Sequence, residues 1–361
     1  AATGTNADTD WTDFVAAAHA RGVEVTSWFN PSYIWTGSAL FQQAEADVAT
    51  YGPVRANQPA SSPARYFKWQ VGAGAATKPC DTCAGSTYRA DWITDPDATY
   101  GGQTISYYSI WSDQPSGDYA SSEWVTYIDS VLDHWLGTGL DGLVFDAPSY
   151  YLDCDATCVH SVLVDKVHSY PNVAAFGEEP YDATGTADMG FDATQSTTFV
   201  ANHPWNDAIW NQNPSSLESS TTMTDRDRRQ GVGGVDYQSL NPAVLNNDSE
   251  NLLAAATIVG TGNFLNVKAT TTTTDNDTSE FGDFGTWPSA TIAPAFRAIT
   301  DAAAYNAALS PAASRVAVPT NDNSKYYAVV RTSTDQQSKA IAIFNYKSTS
   351  QTITVDVAGQ G

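Results

Sequence analysis

The chain has 361 residues, 42% of them hydrophobic, a length ample for a large core in one or two domains. Forty Asp and Glu stand against 17 Lys and Arg, a net charge of −23 that argues against a nucleic-acid partner. No apolar run reaches the roughly 18 residues a membrane-spanning helix needs, so a membrane span is excluded.

Residues 1–9 are small and polar and read as a loop. Asp10 is placed to cap a helix over Trp11–Arg21, where Phe14, Val15 and Ala18 share a face and Gly22 ends the run. Val23–Phe29 reads as a buried strand. Residues 30–105 lack sustained periodicity and are rich in Gly, Pro, Ala and Ser, which predicts an excursion domain rather than a plain loop. In Ser121–Leu136 the apolar Trp124, Ile128, Val131, Leu132 and Trp135 recur at helical spacing, and Gly137 and Gly139 close the helix. Leu140–Asp146 is then a short buried strand. A helix near Cys158–Ser169, a strand over Val173–Gly177 and a short strand candidate at Met189–Phe191 follow.

Further on come strand Val235–Gln238, helix Glu250–Gly260 and strand Asn263–Val267. The Thr/Asp run at 269–279 reads as a solvated loop, and Pro294–Leu309 as a helix. In the tail, Tyr326–Thr332, Ala340–Tyr346 and Thr352–Val357 alternate in strand fashion between polar turns. The body alternates strand and helix, which predicts an α/β fold with a parallel sheet or barrel. The tail predicts an all-β appendage.

The four cysteines form two tight pairs, Cys80/Cys83 and Cys154/Cys158. A four-thiolate zinc site and a pair of disulfides compete, and the context favours disulfides, with all three pairings open. Two glycosylation sequons, at Asn247 and Asn276, agree with secretion. The sequence opens at Ala1 without Met or a signal peptide and reads as a mature or trimmed product. Many Asp with 11 Trp and 18 Tyr suit a neutral, hydroxyl-rich ligand such as a sugar.

The chemistry concentrates where a helix, a glycine turn and an apolar strand end on Asp146, and where the next strand ends on Glu178 and Glu179. Catalytic residues of α/β barrels sit at such strand ends. Two carboxylates about 5–5.5 Å apart are what a retaining glycosidase needs. Helix caps or loop solubilisers are the competing reading in so acidic a chain. Asn202-His203-Pro204-Trp205 is a weaker pocket candidate. The Asp225–Arg229 cluster reads as a self-paired face, and Gly231–Gly234 lacks a phosphate-binding context.

Gly139-Leu-Asp-Gly-Leu-Val-Phe-Asp146 matches the "G-x-D-G-F-R-x-D" pattern of glycoside hydrolase family 13, the α-amylase superfamily. His19–Gly22, Ser62–Trp69, Tyr107–Trp135, Val173–Glu178, 251–267 and 288–361 follow that family's order. The chain most resembles the oligo-1,6-glucosidase and α-glucosidase branch. The resemblance implies a (β/α)8 TIM-type barrel over 1–29 and 106–312. It implies an excursion domain over 30–105, after the family's third strand, and an incomplete antiparallel β domain over 313–361. The first match is to the helix before the third strand. Barrel strands one and two have no counterpart here, so either the chain is a fragment or another polypeptide or a homo-oligomer completes the barrel.

By the same resemblance Asp146 is the nucleophile and Glu178 the general acid/base, with Glu179 a weaker substitute. Asp248 is a transition-state stabiliser or, on the stronger reading, a helix cap before Glu250. Trp28, Tyr33, Trp111, Tyr150 and His203 would meet the α-glucoside. Trp28, Trp35, Trp69 and Trp111 read equally well as sugar platforms or as core. No cofactor is implied. A structural calcium stays open, although no Asp/Asn cluster matches a ligand loop.

The departures from the family are specific. Val144 stands where the family has an Arg. Ser27–Tyr33 lacks the family's Asp and His, and Ser239–Pro242 lacks its Asn-His-Asp. Two functions follow: an active retaining α-glucosidase-type hydrolase, or an inactive member with a structural, assembly or carbohydrate-binding role outside the cell.

Overall fold

In the computed structural model the described residues are 7–72, 91–111, 113–146, 156–177, 189–197, 214, 217, 235–240, 248–267 and 290–360. The chain divides into two units, one of residues 1–179 and 188–191, the other of 180–187 and 192–361.

The first unit opens with α1 (Ala7–His19), which starts four residues before the expected Trp11. Asp10 is therefore inside the first turn with Asp8, where carboxylates meet the positive end of the helix, and is not the cap. Val15 is the buried residue of this helix. Phe14, expected on the same face, is exposed. Strand β1 is confined to Thr26–Phe29, because Val23 is already in solvent.

Helix α2 (Ala39–Tyr51) is capped by Ser38, whose hydroxyl accepts the Phe41 amide. It packs Phe41, Ala44 and Val48 onto an antiparallel sheet of β2 (Trp69–Val71), β3 (Asp91–Tyr100) and β4 (Gln103–Trp111), ordered β2-β4-β3. The two-residue β5 (Gln114–Pro115) adds to β4. Phe41 stacks on Trp69 at 5.4 Å between centroids and meets Tyr107 edge-on at 5.1 Å. Trp69 is thus packed, partly buried, against the core of this unit. The domain boundary expected at residue 105 falls inside β4.

Helix α3 (Ser122–Leu136) buries Trp124, Ile128, Leu132 and Leu136, one residue every four, and Ser121 caps it as its position predicts. Fully burying such side chains contributes roughly 1.5–3 kcal/mol each. Strand β6 (Gly142–Phe145) follows, then α4, which runs Ala156–Val159, a π-turn over His160–Val164 and Asp165–His168. Strand β7 (Ala174–Gly177) closes a parallel trio ordered β1-β6-β7. Cys158 is disulfide-bonded. Cys80, Cys83 and Cys154 lie outside the described residues. Met189–Phe191 is a turn, not the expected strand. Met189 and Phe191 are apolar because they are buried in this unit's core, where Phe191 packs on Phe145 at 5.7 Å.

The second unit has its own parallel trio, β8 (Ala193–Thr197), β9 (Val235–Leu240) and β10 (Phe264–Val267), with β9 between the other two. Helix α5 (Asp248–Thr261) buries Ala254, Ala255 and Ile258 with Tyr327, Phe344 and Tyr346. Helix α6 (Ala293–Tyr305) follows. An antiparallel sheet of β11 (Ser314–Ala317), β12 (Tyr326–Thr332) and β13 (Lys339–Asn345) ends the unit, ordered β11-β12-β13. Strand β11 was not expected. Thr352–Val357, expected as a strand, forms a single bridge from Val355 to Thr320. The 269–279 run lies outside the described residues.

Candidate active site

The matched motif on β6 has one acid at each end, and the two do different things. At the start, Asp141 Oδ2 accepts the Val25 amide at 2.6 Å and meets His19 Nε2 at 2.7 Å. The Asp141 amide donates to the Val25 carbonyl, and its carbonyl accepts the Ala174 amide. Asp141 therefore ties β6 to the chain before β1 and to β7. It is an anchor at the end of the sheet away from Asp146.

Asp146 follows the last residue of β6. Its amide donates to the Phe29 carbonyl at 3.0 Å, continuing the β1–β6 ladder by one bond. One carboxylate oxygen, Oδ2, accepts Nδ2 of Asn30 at 2.5 Å. The other end of the Asn30 side chain, Oδ1, accepts the Ser32 amide at 2.8 Å. Sequence reasoning passed over Asn30. Its place immediately after β1, the strand that pairs with the one leading to Asp146, was a signal for it.

The segment behind Asn30 is fastened along its length. The Tyr119 hydroxyl donates to the Pro31 carbonyl at 2.7 Å, and burial pushes that phenol up, so it stays a donor. The Gly117 amide donates to the Ser32 carbonyl at 2.9 Å. Residue 117 has to be glycine, since a Cβ there would stand 1.9 Å from the ring of Trp124. Tyr33 bridges Ser116, which places it on this same segment three residues beyond Asn30. Buried Asp118 pairs with Arg55 and with Lys68, fixing the strip that carries Gly117.

Below the carboxylate the sheet is apolar. Trp28, Val144 and Phe176 are register partners across β1, β6 and β7 and therefore point to one side. Alternation puts Asp146, two residues past Val144, on that side as well. Trp28 is 48% exposed, as a ligand platform would be. Trp35 is exposed too, lying on the segment after β1. Gly142 begins the β6 row because Phe176 leans over it: a Cβ would lie 2.7 Å from that ring and 2.9 Å from the Ala174 carbonyl oxygen.

Strand β7 ends at Gly177, opposite Phe145. The next residue, Glu178, lies outside the described residues, as do Glu179, Tyr150, His203, Asn247 and Asn276, and nothing is described of the Trp111 side chain. Asp248 is the first residue of α5, in its first turn with Glu250, which suits a helix-end role. Among the described residues no group of three or more His, Cys, Asp or Glu is placed to hold a metal ion. Nor is any of their helices long and apolar enough to cross a membrane.

No protein-family model matches the sequence, and no curated protein matches it. Solved structures do match its fold. Amy13B of Eubacterium rectale superimposes with a TM-score of 0.71 at 16% identity, over 98% of this chain and 75% of that one. The α-amylase from H. orenii gives 0.69 at 16% identity, over 94% and 74%. The cyclic α-maltosyl-(1→6)-maltose hydrolase of Arthrobacter globiformis gives 0.62 at 14% identity, over 94% and 71%. The chain thus has the α/β fold of the TIM-barrel amylases.

Proposed function

We propose that the chain is a retaining glycoside hydrolase of the α-amylase type, acting on α-glucosides. Asp146 is the nucleophile and Glu178 the general acid/base. One observation carries this reading: the Asp146 carboxylate is held at a strand end by Asn30, and Glu178 comes next after Gly177, the register partner of Phe145. In such chemistry one carboxylate attacks the anomeric carbon while the second group protonates the leaving oxygen. That group then takes a proton from water as the water oxygen displaces the glycosyl ester, returning both carboxyls to their starting state.

The names of the amylase and the maltosyl-maltose hydrolase support an α-glucoside as substrate. Trp28 offers a half-exposed ring to the apolar face of a sugar. Secretion, disulfides among the four cysteines and glycans on Asn247 and Asn276 belong to the same proposal. So does completion of the barrel beside β1, which pairs only with β6 among the described residues.

A second reading is a carbohydrate-binding protein of this fold without turnover. Val144 favours it, because it puts an apolar group where the resembled family has an arginine, and so does the Ser27–Tyr33 stretch around Trp28, which lacks that family's Asp and His. The deciding experiment is hydrolysis of 4-nitrophenyl α-glucoside and of maltooligosaccharides. Wild-type turnover should far exceed that of Asp146→Asn and Glu178→Gln. Equal rates in all three, with maltooligosaccharide still bound, would establish the second reading instead.

A further inference from the structure

We infer that Asn30 is the positioning residue of the candidate nucleophile: it orients the Asp146 carboxylate and favours its ionised form from the neighbouring strand. This rests on the proposed role of Asp146, but it has its own physical basis.

An asparagine after a strand commonly serves only to turn the chain, with its oxygen accepting an amide two residues on. Asn30 makes that turn through Oδ1 and Ser32. The same bond decides which way the amide group faces. With Oδ1 committed to an N–H, the end turned to Asp146 is the NH2 group, a donor. The flipped amide would set an oxygen against a carboxylate oxygen and leave the Ser32 amide facing an NH2 group. Both bonds together therefore fix one orientation.

The donor is also stationary. Its backbone is tied through Pro31 to Tyr119, through Ser32 to Gly117 and through the Tyr33–Ser116 bridge. The acceptor is tied by the Asp146 amide to Phe29, the residue before Asn30. Donor and carboxylate thus belong to one hydrogen-bonded frame that spans adjacent strands. A hydrogen bond to the charged form of a carboxyl favours that form, and a preorganised donor does so without having to move. The neighbours on the same face, Trp28, Val144 and Phe176, contribute no charge. In the sequence the ionisable residues around this end of the sheet are Tyr150, Tyr151 and Asp153 after Asp146, Tyr33 three residues after Asn30, and Glu178 and Glu179 after β7; Asp141 with His19 lies at the far end of β6, and Asp113 beside the segment after β1.

The test is a carboxyl titration in the full chain, which does not depend on turnover. With 13C-carboxyl aspartate incorporated, the Asp146 resonance is assigned by its loss in Asp146→Asn. It is then followed against pH in wild type, Asn30→Asp and Asn30→Ser. Asn30→Asp keeps the shape and the Ser32 bond but replaces the donor with an acceptor. It should raise the Asp146 midpoint by about one pH unit or more, a tenfold change in proton affinity. Asn30→Ser removes the reach of the donor without adding charge. It should raise the midpoint by about half a unit or more, and it carries the test alone if Asn30→Asp does not fold. Midpoints equal to wild type in the folded variants would overturn the inference. If the midpoints move and wild type shows no turnover, the catalytic reading fails and the positioning role stands. If turnover is present and the midpoints do not move, the reverse holds.

Discussion

Trp28 and Val144 are register partners on β1 and β6, side by side on the face that carries Asp146. Phe176 extends the pair onto β7. Val144 stands where the family the sequence resembles has an arginine, and Trp28 lies in the Ser27–Tyr33 stretch that lacks that family's Asp and His. A guanidinium at position 144 would be flanked by an indole and a phenyl ring. The Asp146 carboxylate accepts a hydrogen bond from the side, from Asn30 just after β1.

Trp28 has little to do in the core, since nearly half of its surface is open. Trp28→Ala should therefore leave the melting temperature within about 2 °C of wild type. Its cost should fall on the ligand. Losing an aromatic platform is worth about 0.5–1.5 kcal/mol, up to roughly tenfold in Kd. Calorimetric titration with a maltooligosaccharide measures this. An unchanged Kd together with a large loss of stability would mark Trp28 as a packing residue.

Gly142 makes the opposite prediction. Its missing side chain is where the Phe176 ring sits, and the Ala174 carbonyl is almost as close. The ring can tilt, but the carbonyl belongs to the neighbouring strand and cannot yield without disturbing the β6–β7 pairing. Gly142→Ala should destabilise by about 1–3 kcal/mol, as overpacking does. Phe176→Leu in the same chain should recover only part of that loss, because the backbone contact remains. Denaturant unfolding of the two variants gives both numbers. Full recovery in the double variant would mean that the ring alone excludes a side chain at 142.

These residues also show what a sequence can disclose. Helix α3 was legible because Trp124, Ile128, Val131, Leu132 and Trp135 recur at helical spacing before Gly137, although Leu136 rather than Val131 or Trp135 completes its buried row. Asp146 was legible because an apolar strand stops on it. Asn30 was not, because its partner lies 116 positions away and only strand register brings the two together. Apolar character likewise misled at Met189–Phe191, where burial in a turn leaves the same signature as a short strand. Strand β12 was found for the wrong reason: Tyr326–Thr332 was read as alternating, yet six of its seven residues are buried.

Glu45 on α2 gives the excursion sheet a pH dependence with a definite sign. Burial raises its carboxyl from 4.5 to about 8, helped by the neighbouring carboxyls of Asp95 and Asp97. Asp95 is itself almost fully buried, and its Oδ1 accepts the Asp97 and Ala98 amides. The folded chain therefore keeps the Glu45 proton to about pH 8, whereas the unfolded chain loses it near 4.5. Its contribution to stability is full below pH 4.5 and is lost as pH rises through about 8. Glu45→Gln mimics the protonated form at every pH. It should match wild type near pH 4 and exceed it at pH 9 by roughly 1–2 kcal/mol, the scale of a buried polar group left unsatisfied. Unfolding free energies at both pH values decide the matter, and a difference that does not grow with pH would rule this role out.

Arg331 offers the sharpest stability prediction in the second unit. It is completely buried on β12. Its guanidinium donates to the carbonyls of Ser310 at 2.7 Å, Ala313 at 3.1 Å, Ser314 at 3.2 Å and Gly260 at 3.3 Å. One planar group thus joins the end of α5, the turn after α6 and strand β11. Arg331→Ala removes all of these bonds and leaves a cavity, so a loss of about 3–5 kcal/mol is expected, comparable to breaking a buried ionic pair. Arg331→Lys keeps the charge but lacks the fork, and can serve only part of the carbonyl set. It should recover less than half of the loss, as read from the denaturant midpoint. Recovery to wild-type stability with lysine would mean that charge, and not the planar fork, holds these elements together.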